Sequence, residues 1–258
     1  MRLHFETLGK GEPLIVFHGL FGSLENLNPF NQRMAERYRV YAVDQRNHGR
    51  SPHSPEMDYG LMAEDVLELV QAERLPPARL LGHSMGGKTA MEFALRYPER
   101  VARLVVADIA PKAYPPHHQR ILEGLLGLDL SRYTTRRELE SALEPWIPEL
   151  AVRQFLLKGL SRHSSGQHFV WRMGLHEIAA NYDHLRQALP GGRTYAGPTL
   201  FLRGEHSDYL SEADLASARE LFPRARMELV PGAGHWLHAE APEVFHRLVA
   251  AFLAEPAA

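Results

Sequence analysis

The chain has 258 residues, which is enough for one large domain or for a domain with an insertion. Its 29 Lys and Arg against 31 Asp and Glu give a formal net charge of −2, which argues against a nucleic-acid binder and against a polybasic membrane patch. There are no cysteines, so disulfides, thiolate nucleophiles, iron–sulfur clusters and Cys-ligated zinc are excluded.

The N-terminal residues 1–6 have no apolar stretch behind their single arginine, so no secretory signal is visible. No apolar run approaches the ~18 residues that a membrane span needs. We therefore expect a cytoplasmic protein with no membrane span and no nucleic-acid partner. Hydrophobic residues make up 45% of the chain, an ordinary fraction for a protein that buries a core.

Short apolar runs alternate with longer amphipathic segments in the first part of the chain. Four of the apolar runs predict strands: 14–17, 39–44, 78–82 and 104–108. Apolar residues at three- and four-residue intervals predict helices at 61–75 and 85–97. Alternation at this spacing predicts parallel strands joined by right-handed crossovers. The fold class is therefore α/β.

The alternation stops after Asp108. Residues 112–189 carry helical or irregular patterns without a clear buried strand. The order strand, helix, strand, helix then resumes at four places: 199–203, 212–221, 227–230 and 242–253. The economical arrangement is a core in two pieces, residues 1–111 and 190–258, with 112–189 inserted as a helical lid that covers it.

A serine between glycines directly follows the third predicted strand, in Gly82-His83-Ser84-Met85-Gly86. This is the G-x-S-x-G pattern in the strand-to-helix context that gives it chemical meaning. The sharp turn strains the backbone of the serine, and the glycines relieve the crowding. The helix behind it offers free N–H groups to a developing anion. We predict that Ser84 is a nucleophile; the alternative is an ordinary helix N-cap.

A serine hydroxyl needs a base to act as a nucleophile. His235 lies in the glycine-rich segment 231–236, which is 151 residues beyond Ser84 and after the last predicted strand. Serine first and histidine last is the order expected for this fold. His235 and His238 are three residues apart, but no carboxylate–histidine cluster completes a metal site nearby, so we expect no metal.

Two aspartates are candidates for the acid that orients the histidine. Asp108 ends the fourth predicted strand, 24 residues after Ser84. Asp208 follows the strand at 199–203 and precedes His235 by 27 residues. Both lie along the same edge of the predicted sheet, so spacing alone leaves the choice open.

Acyl transfer also requires hydrogen-bond donors that stabilise the oxyanion formed during the reaction. Residues 18–22, His-Gly-Leu-Phe-Gly, follow the first predicted strand, and their glycines let the backbone approach a substrate closely. We assign the two donors as the N–H groups of Leu20 and Met85. These glycines do not form a phosphate-binding loop, because the sequence has no G-x-x-x-x-G-K-[ST].

Across nearly its whole length the chain resembles the α/β-hydrolase superfamily. Four segments carry the resemblance: 44–51 (DQRNHGRS), 82–88 (GHSMGGK), 108–111 (DIAP) and 232–236 (GAGHW). The first and third together are a narrower pattern, similar to the bacterial YbfF-type esterases and the ABHD11-like hydrolases. The resemblance implies a mostly parallel sheet flanked by helices, with residues 112–189 as a helical cap over Ser84.

The resemblance also bears on the acid and on the substrate pocket. In that subgroup the acid is the aspartate of Asp-Ile-Ala-Pro, here Asp108. The general superfamily pattern places it after the later strand, where Asp208 stands one position late. Ser207 matches a serine that lies near the triad and helps to orient the histidine. Three large apolar residues would line an acyl pocket or pack the cap onto the core: Phe155, Trp171 and Met173.

Together these residues predict a cofactor-free serine esterase that hydrolyses small-molecule carboxylic esters, with acyl thioesters as a further class. In this hypothesis Ser84 attacks the acyl carbonyl, His235 takes its proton and Asp108 orients His235. Three alternatives remain open: a C–C lyase on the same triad, a perhydrolase, and a ligand receptor that keeps the fold without turnover. An epoxide hydrolase or dehalogenase is disfavoured, because those enzymes carry aspartate where Ser84 stands.

Overall fold

The structure is a computed structural model that describes residues 1–163, 166 and 168–256. Within those residues the chain forms nine strands: β1 (Phe5–Leu8), β2 (Pro13–Phe17), β3 (Arg39–Val43), β4 (Ala78–His83), β5 (Val101–Ala107), β6 (Leu160–Arg162), β7 (Phe169–Trp171), β8 (Thr199–Gly204) and β9 (Ala225–Val230). The same residues form eleven α-helices: α1 (Asn28–Met34), α2 (Tyr59–Ala72), α3 (Met85–Arg96), α4 (Gln119–Leu126), α5 (Arg136–Leu143), α6 (Leu150–Leu157), α7 (Leu175–Ala180), α8 (Tyr182–Leu185), α9 (Glu212–Ala218), α10 (Leu237–Glu240) and α11 (Pro242–Leu253).

Seven strands form one sheet in the order β1-β3-β2-β4-β5-β8-β9. Every neighbouring pair is parallel except β1 with β3, which is antiparallel. The parallel strands are continuous apolar runs because helices cover both faces of the sheet. Along β2, Leu14 and Val16 belong to the core that includes residues of α1 and α11, whereas Ile15 and Phe17 pack with α2 and α3. This is the α/β architecture that the sequence predicts.

The helix between β3 and β4 shows how local chemistry sets the boundaries of an element. The side chain of Asp58 accepts a hydrogen bond from the N–H of Leu61 and caps α2 at its N-terminus. The helix therefore begins at Tyr59, two residues before the predicted start. It ends at Ala72, before Arg74 adopts a positive φ of 50°.

Two features of the fold were not predicted. The antiparallel edge strand β1 has four residues and no buried position, so its apolar pattern is weak. Strands β6 and β7, of three residues each, form a separate antiparallel pair. That pair adds a short hairpin to residues 112–189, which otherwise contain the helices α4 to α8.

The two connections that join residues 112–189 to the sheet run side by side. The N–H of Leu189 donates to the carbonyl of Pro111 at 2.9 Å. The Nζ of Lys88, on α3, donates to the carbonyls of Lys112 at 2.7 Å and Gln187 at 2.6 Å. Burial lowers the pKa of Lys88 to about 7. One buried side chain thus ties both ends of the inserted segment to the helix that follows Ser84.

No helix in the described part of the chain is long and apolar enough to cross a membrane.

Candidate active site

Ser84 stands between β4 and α3 in a strained backbone conformation, with φ 53° and ψ −121°. Its N–H donates to the carbonyl of Ala107 at 3.0 Å, which anchors the turn on β5. A Cβ at Gly82 would lie 2.1 Å from the Gly86 carbonyl oxygen, and a Cβ at Gly86 would lie 2.5 Å from that of His18. Only glycine at both positions lets the chain turn this sharply.

Asp108 is fully buried directly after β5, also at positive φ (54°). Its Oδ2 accepts a hydrogen bond from Nδ1 of His235 at 2.7 Å and another from the Ser207 hydroxyl. Its Oδ1 accepts from the N–H of Gly204 at 3.0 Å. Because Nδ1 of His235 donates, Nε2 of the neutral ring carries the free lone pair. The contact therefore fixes the tautomer in which His235 can accept a proton.

Asp208, the other aspartate that spacing had allowed, is exposed to solvent. The carboxylate that meets His235 is that of Asp108, and Ser207 is the neighbour that braces it. The bond from Ser207 has a second consequence, since its Oγ also accepts the N–H of Tyr209 at 3.2 Å. The segment after β8 is thereby held against Asp108.

Two neighbouring rings, those of Tyr209 and His83, pack near the imidazole of His235. Tyr209 stacks on the imidazole with ring centroids 3.9 Å apart, a contact that the sequence analysis missed. His83 lies 4.7 Å away between centroids, and its Nε2–H donates to the His235 carbonyl at 2.8 Å. Burial holds the pKa of His83 well below its ordinary value and lowers that of His238 to about 4. The His83 and His238 rings are therefore uncharged near neutral pH.

Ser84 and His235 line the same cavity. Within the described residues, however, no hydrogen bond joins the Ser84 hydroxyl to the His235 ring. Such contacts are often long in unliganded enzymes and tighten when a substrate is bound. The structure thus brings serine, histidine and aspartate to one place, with the histidine–aspartate bond formed and the serine–histidine bond open.

Leu20, Ser84 and Met85 line one cavity. Met85 is the first residue of α3, so its N–H has no acceptor inside the helix. Leu20 lies inside a turn that the N–H of Gly22 closes on the Gly19 carbonyl at 3.1 Å. In the described part of the chain neither N–H donates a hydrogen bond to the protein. Both donors are therefore available to a ligand.

Two buried histidines hold the loop around Leu20. His18 bonds through Nδ1 to the Gly19 carbonyl at 2.8 Å, and its Nε2 accepts the N–H of Gln45 at 3.1 Å. The Nε2 of His48 accepts the N–H of Phe21 at 3.2 Å. Burial lowers the pKa of His18 to about 4 and that of His48 to about 3, so both rings are neutral. Their hydrogen bonds fix the backbone on both sides of Leu20.

Two cavities meet at Ser84. The small cavity has a volume of about 40 Å³ and the large cavity one of about 250 Å³. Five residues line both: Leu20, Ser84, His117, His118 and Tyr209. Phe155 lines the large cavity, as the resemblance had allowed. Trp171 and Met173 line neither of the two: Met173 belongs to the main hydrophobic core and the half-buried Trp171 packs against it, which is the second of the two predicted roles.

The described residues contain no group of three His, Asp or Glu side chains arranged to hold a metal ion. His235 and His238 each pack against the His83 ring, 4.7 and 4.9 Å away between centroids. The two histidines therefore take part in ring packing around the site.

A family model for the alpha/beta hydrolase fold matches residues 12–242. The chain belongs to the α/β-hydrolase family. This α/β-hydrolase is 40% identical to the sn-1-specific diacylglycerol lipase ABHD11 of Mus musculus over 94% of its own length and 81% of that protein's. It is 34% identical to Esterase YbfF of Escherichia coli, over 95% and 94% of the two chains.

A solved structure described as a marine microorganism esterase has the same fold as this α/β-hydrolase. The TM-score is 0.94 at 40% sequence identity, and the match covers 97% of this chain and 99% of that one. The predicted fold and the predicted likeness to YbfF-type esterases and ABHD11-like hydrolases are thus confirmed.

Proposed function

We propose that this α/β-hydrolase is a serine esterase that hydrolyses carboxylic esters through Ser84, His235 and Asp108. The relatives are named as an esterase and a lipase, and both names describe enzymes that cleave ester bonds. The observation that best supports the assignment is the His235–Asp108 hydrogen bond of 2.7 Å beside a serine held in a strained turn. That pairing supplies a base whose free nitrogen is directed away from the acid.

In the proposed first step the Ser84 Oγ attacks the ester carbonyl carbon while His235 Nε2 takes the hydroxyl proton. The carbonyl π electrons move to the oxygen, which then accepts hydrogen bonds from the N–H groups of Leu20 and Met85. Each such donor is worth ~3–4 kcal/mol of transition-state stabilisation. Asp108 stabilises the imidazolium without taking its proton.

The tetrahedral intermediate then collapses and expels the alcohol, whose oxygen takes the proton from His235 Nε2. This leaves an acyl group on Ser84. Water attacks the acyl carbonyl, again giving its proton to His235, and the acid is released as Ser84 recovers its hydrogen. An acyl thioester presents the same carbonyl to Ser84, so we include thioesters as a second substrate class that needs no additional residue.

We also propose that residues 112–189 act as a cap over the site. His117, His118 and Phe155 from this segment line the large cavity next to Ser84. Lys88 holds both ends of the segment. Substrate would therefore be enclosed between the cap and the carboxyl edge of the sheet, where open α/β folds bind their ligands.

The test is a p-nitrophenyl ester assay combined with a covalent fluorophosphonate probe and mass spectrometry. Ser84→Ala should abolish turnover and labelling while keeping the wild-type circular dichroism spectrum. Ser217→Ala, at an exposed position on α9, is the matched control and should retain both. Near-wild-type hydrolysis by Ser84→Ala would refute the assignment. A labelled serine without turnover on any ester would instead favour the lyase or the receptor.

A further inference from the structure

The two cavities that meet at Ser84 differ in which parts of the proposed machinery they contain. Met85 lines only the small cavity, together with Leu20, which is shared. Of these two cavities, His235 lines the large one and not the small one. One oxyanion donor, Met85, therefore borders the small side of Ser84 alone, Leu20 borders both sides, and the proton donor borders the large side.

This asymmetry determines which cavity takes the alcohol part of a bound ester and which takes the acyl part. The leaving alcohol must receive a proton from His235 Nε2 as its bond to the acyl carbon breaks. A leaving oxygen in the large cavity can take the proton from His235 Nε2. A leaving oxygen in the small cavity would depart as an unprotonated alkoxide. The alcohol part of the ester therefore belongs in the large cavity, and the acyl chain extends into the small one.

The small cavity leaves little room for an acyl chain. Its volume of about 40 Å³ is less than a fifth of the 250 Å³ of the large cavity, so it takes the smaller part of the ester. Hydrogen bonds stiffen its walls: the Tyr59 hydroxyl donates to the Leu185 carbonyl at 2.7 Å, and that of Tyr114 to the Tyr209 carbonyl at 2.6 Å. Widening the cavity would disturb these bonds, so we expect it to favour a short acyl chain over a long one.

The large cavity has the opposite character. Its volume is about 250 Å³, and its outer wall consists of half-buried apolar side chains. Phe155 and Trp236 form part of that wall, with ring centroids 5.7 Å apart. Val152 and Ile121 from the inserted segment continue it. These side chains offer apolar surface to an extended alcohol.

We propose that the substrates of this enzyme are esters of short acyl groups with larger apolar alcohols. The inference rests on the proposed function, because it takes Ser84 as nucleophile and His235 as the proton donor. It adds the substrate class: the apolar bulk of the ester lies on the alcohol side.

Hexyl acetate and ethyl hexanoate test this directly, because they are constitutional isomers with the same apolar content on opposite sides of the ester. Hydrolysis is followed by pH-stat titration under identical conditions. We expect kcat/KM for hexyl acetate to exceed that for ethyl hexanoate by at least ~10-fold, since one misplaced methylene alone is worth ~10-fold or more. Equal values, or a preference for ethyl hexanoate, would overturn the substrate class while leaving the esterase intact. No hydrolysis of either ester would overturn the proposed function itself.

Two variants test whether the small cavity causes the preference for hexyl acetate. Leu185 lines it and is 5% exposed, so Leu185→Ala should admit the hexanoyl chain and reduce the preference for hexyl acetate about 10-fold. Leu189→Ala is the matched control, because Leu189 is 6% exposed and lines neither cavity. Its preference should equal that of the wild type. The ratio of two substrates measured on one preparation does not depend on the folded fraction, so partial unfolding of either variant does not alter the result. An unchanged ratio in Leu185→Ala would contradict the assignment of the small cavity to the acyl chain.

Discussion

Replacing Asp108 with asparagine should reverse the tautomer of His235. In the wild type Oδ1 accepts the N–H of Gly204 at 3.0 Å, and Oδ2 accepts from His235 Nδ1 at 2.7 Å. The asparagine oxygen must stay with Gly204, because an amide NH₂ cannot accept a hydrogen bond. The NH₂ group then faces His235 and needs an acceptor there. Nδ1 gives up its proton, and Nε2 carries it.

The size of the effect follows from that geometry. A histidine protonated on Nε2 cannot take the proton of Ser84, and the same substitution in a serine protease triad lowers kcat ~10⁴-fold. That factor corresponds to ~5 kcal/mol of activation free energy. We expect a ~10³–10⁴-fold fall in kcat for Asp108→Asn, with the fold retained because the isosteric side chain keeps the Gly204 bond. Asp208→Asn, at an exposed carboxylate, should stay within about twofold of the wild type.

The assay is steady-state hydrolysis of p-nitrophenyl acetate by wild type, Asp108→Asn, Asp208→Asn and Ser84→Ala. Urea unfolding of each protein accompanies it, so that a loss of activity is separated from a loss of fold. An equal loss in Asp208→Asn and Asp108→Asn would refute the reasoning. So would an Asp108→Asn enzyme that retains more than about a tenth of the wild-type kcat.

Three further predictions concern stability, each measured as a free energy of unfolding in urea. Gly82→Ala should cost more than ~2 kcal/mol, because its Cβ would lie 2.1 Å from a carbonyl oxygen. Gly191→Ala, which meets nothing within 4 Å, should be neutral or stabilise by up to ~1 kcal/mol, and equal losses would contradict the argument. Arg46→Met should cost more than ~2 kcal/mol, because it removes two hydrogen bonds from the buried carboxylate of Asp65, which then keeps the N-terminal ammonium of Met1 as its cationic partner. Arg50→Met breaks only an exposed pair and should cost less than ~1 kcal/mol, so a comparable loss there would show that burial is not the cause. Acid should destabilise the fold from about pH 6.5 downward, because the loss of hydration gives four histidines folded pKa values of about 3 to 4, below the 6.5 of the unfolded chain: the buried His18 and His48 and the half-buried His118 and His238. The unfolded chain binds more protons in that window, so each histidine lowers stability by ~1.4 kcal/mol at pH 5.5 relative to pH 7.5, and equal unfolding free energies at the two pH values would contradict this.

The strands that the sequence predicts are those whose own residues form a pattern that indicates burial. β2 is an unbroken apolar run of five buried residues, and such a run indicates a strand covered on both faces. β1 differs, because its four residues are half-buried or exposed and become a strand only when β3 supplies the hydrogen bonds. The three-residue strands β6 and β7 depend on each other in the same way. Their formation depends on a partner strand, so their own patterns give little sign of it.

The turn at Ser84 was predictable because the residues that shape it are neighbours in the chain. Gly82 lies against the Gly86 backbone across the turn, and the motif records that closeness within five residues. No local motif of this kind distinguishes Asp108 from Asp208 as the acid. Strands β5 and β8 are paired, so both aspartates follow strands that end at one edge of the sheet. Only the backbone after each strand, which turns Asp108 inward at φ 54° and leaves Asp208 in solvent, separates them.

The sequence by itself therefore determined the α/β fold, the family and the local turn that presents Ser84, because periodicity and short motifs depend on contacts between near neighbours. Only the tertiary structure decided which carboxylate meets His235 and how much room lies on each side of Ser84. Tyr59, Leu185 and Tyr209 come from distant parts of the chain to bound the small cavity. Its volume depends on how their elements pack, and no local pattern records the space that remains between packed side chains.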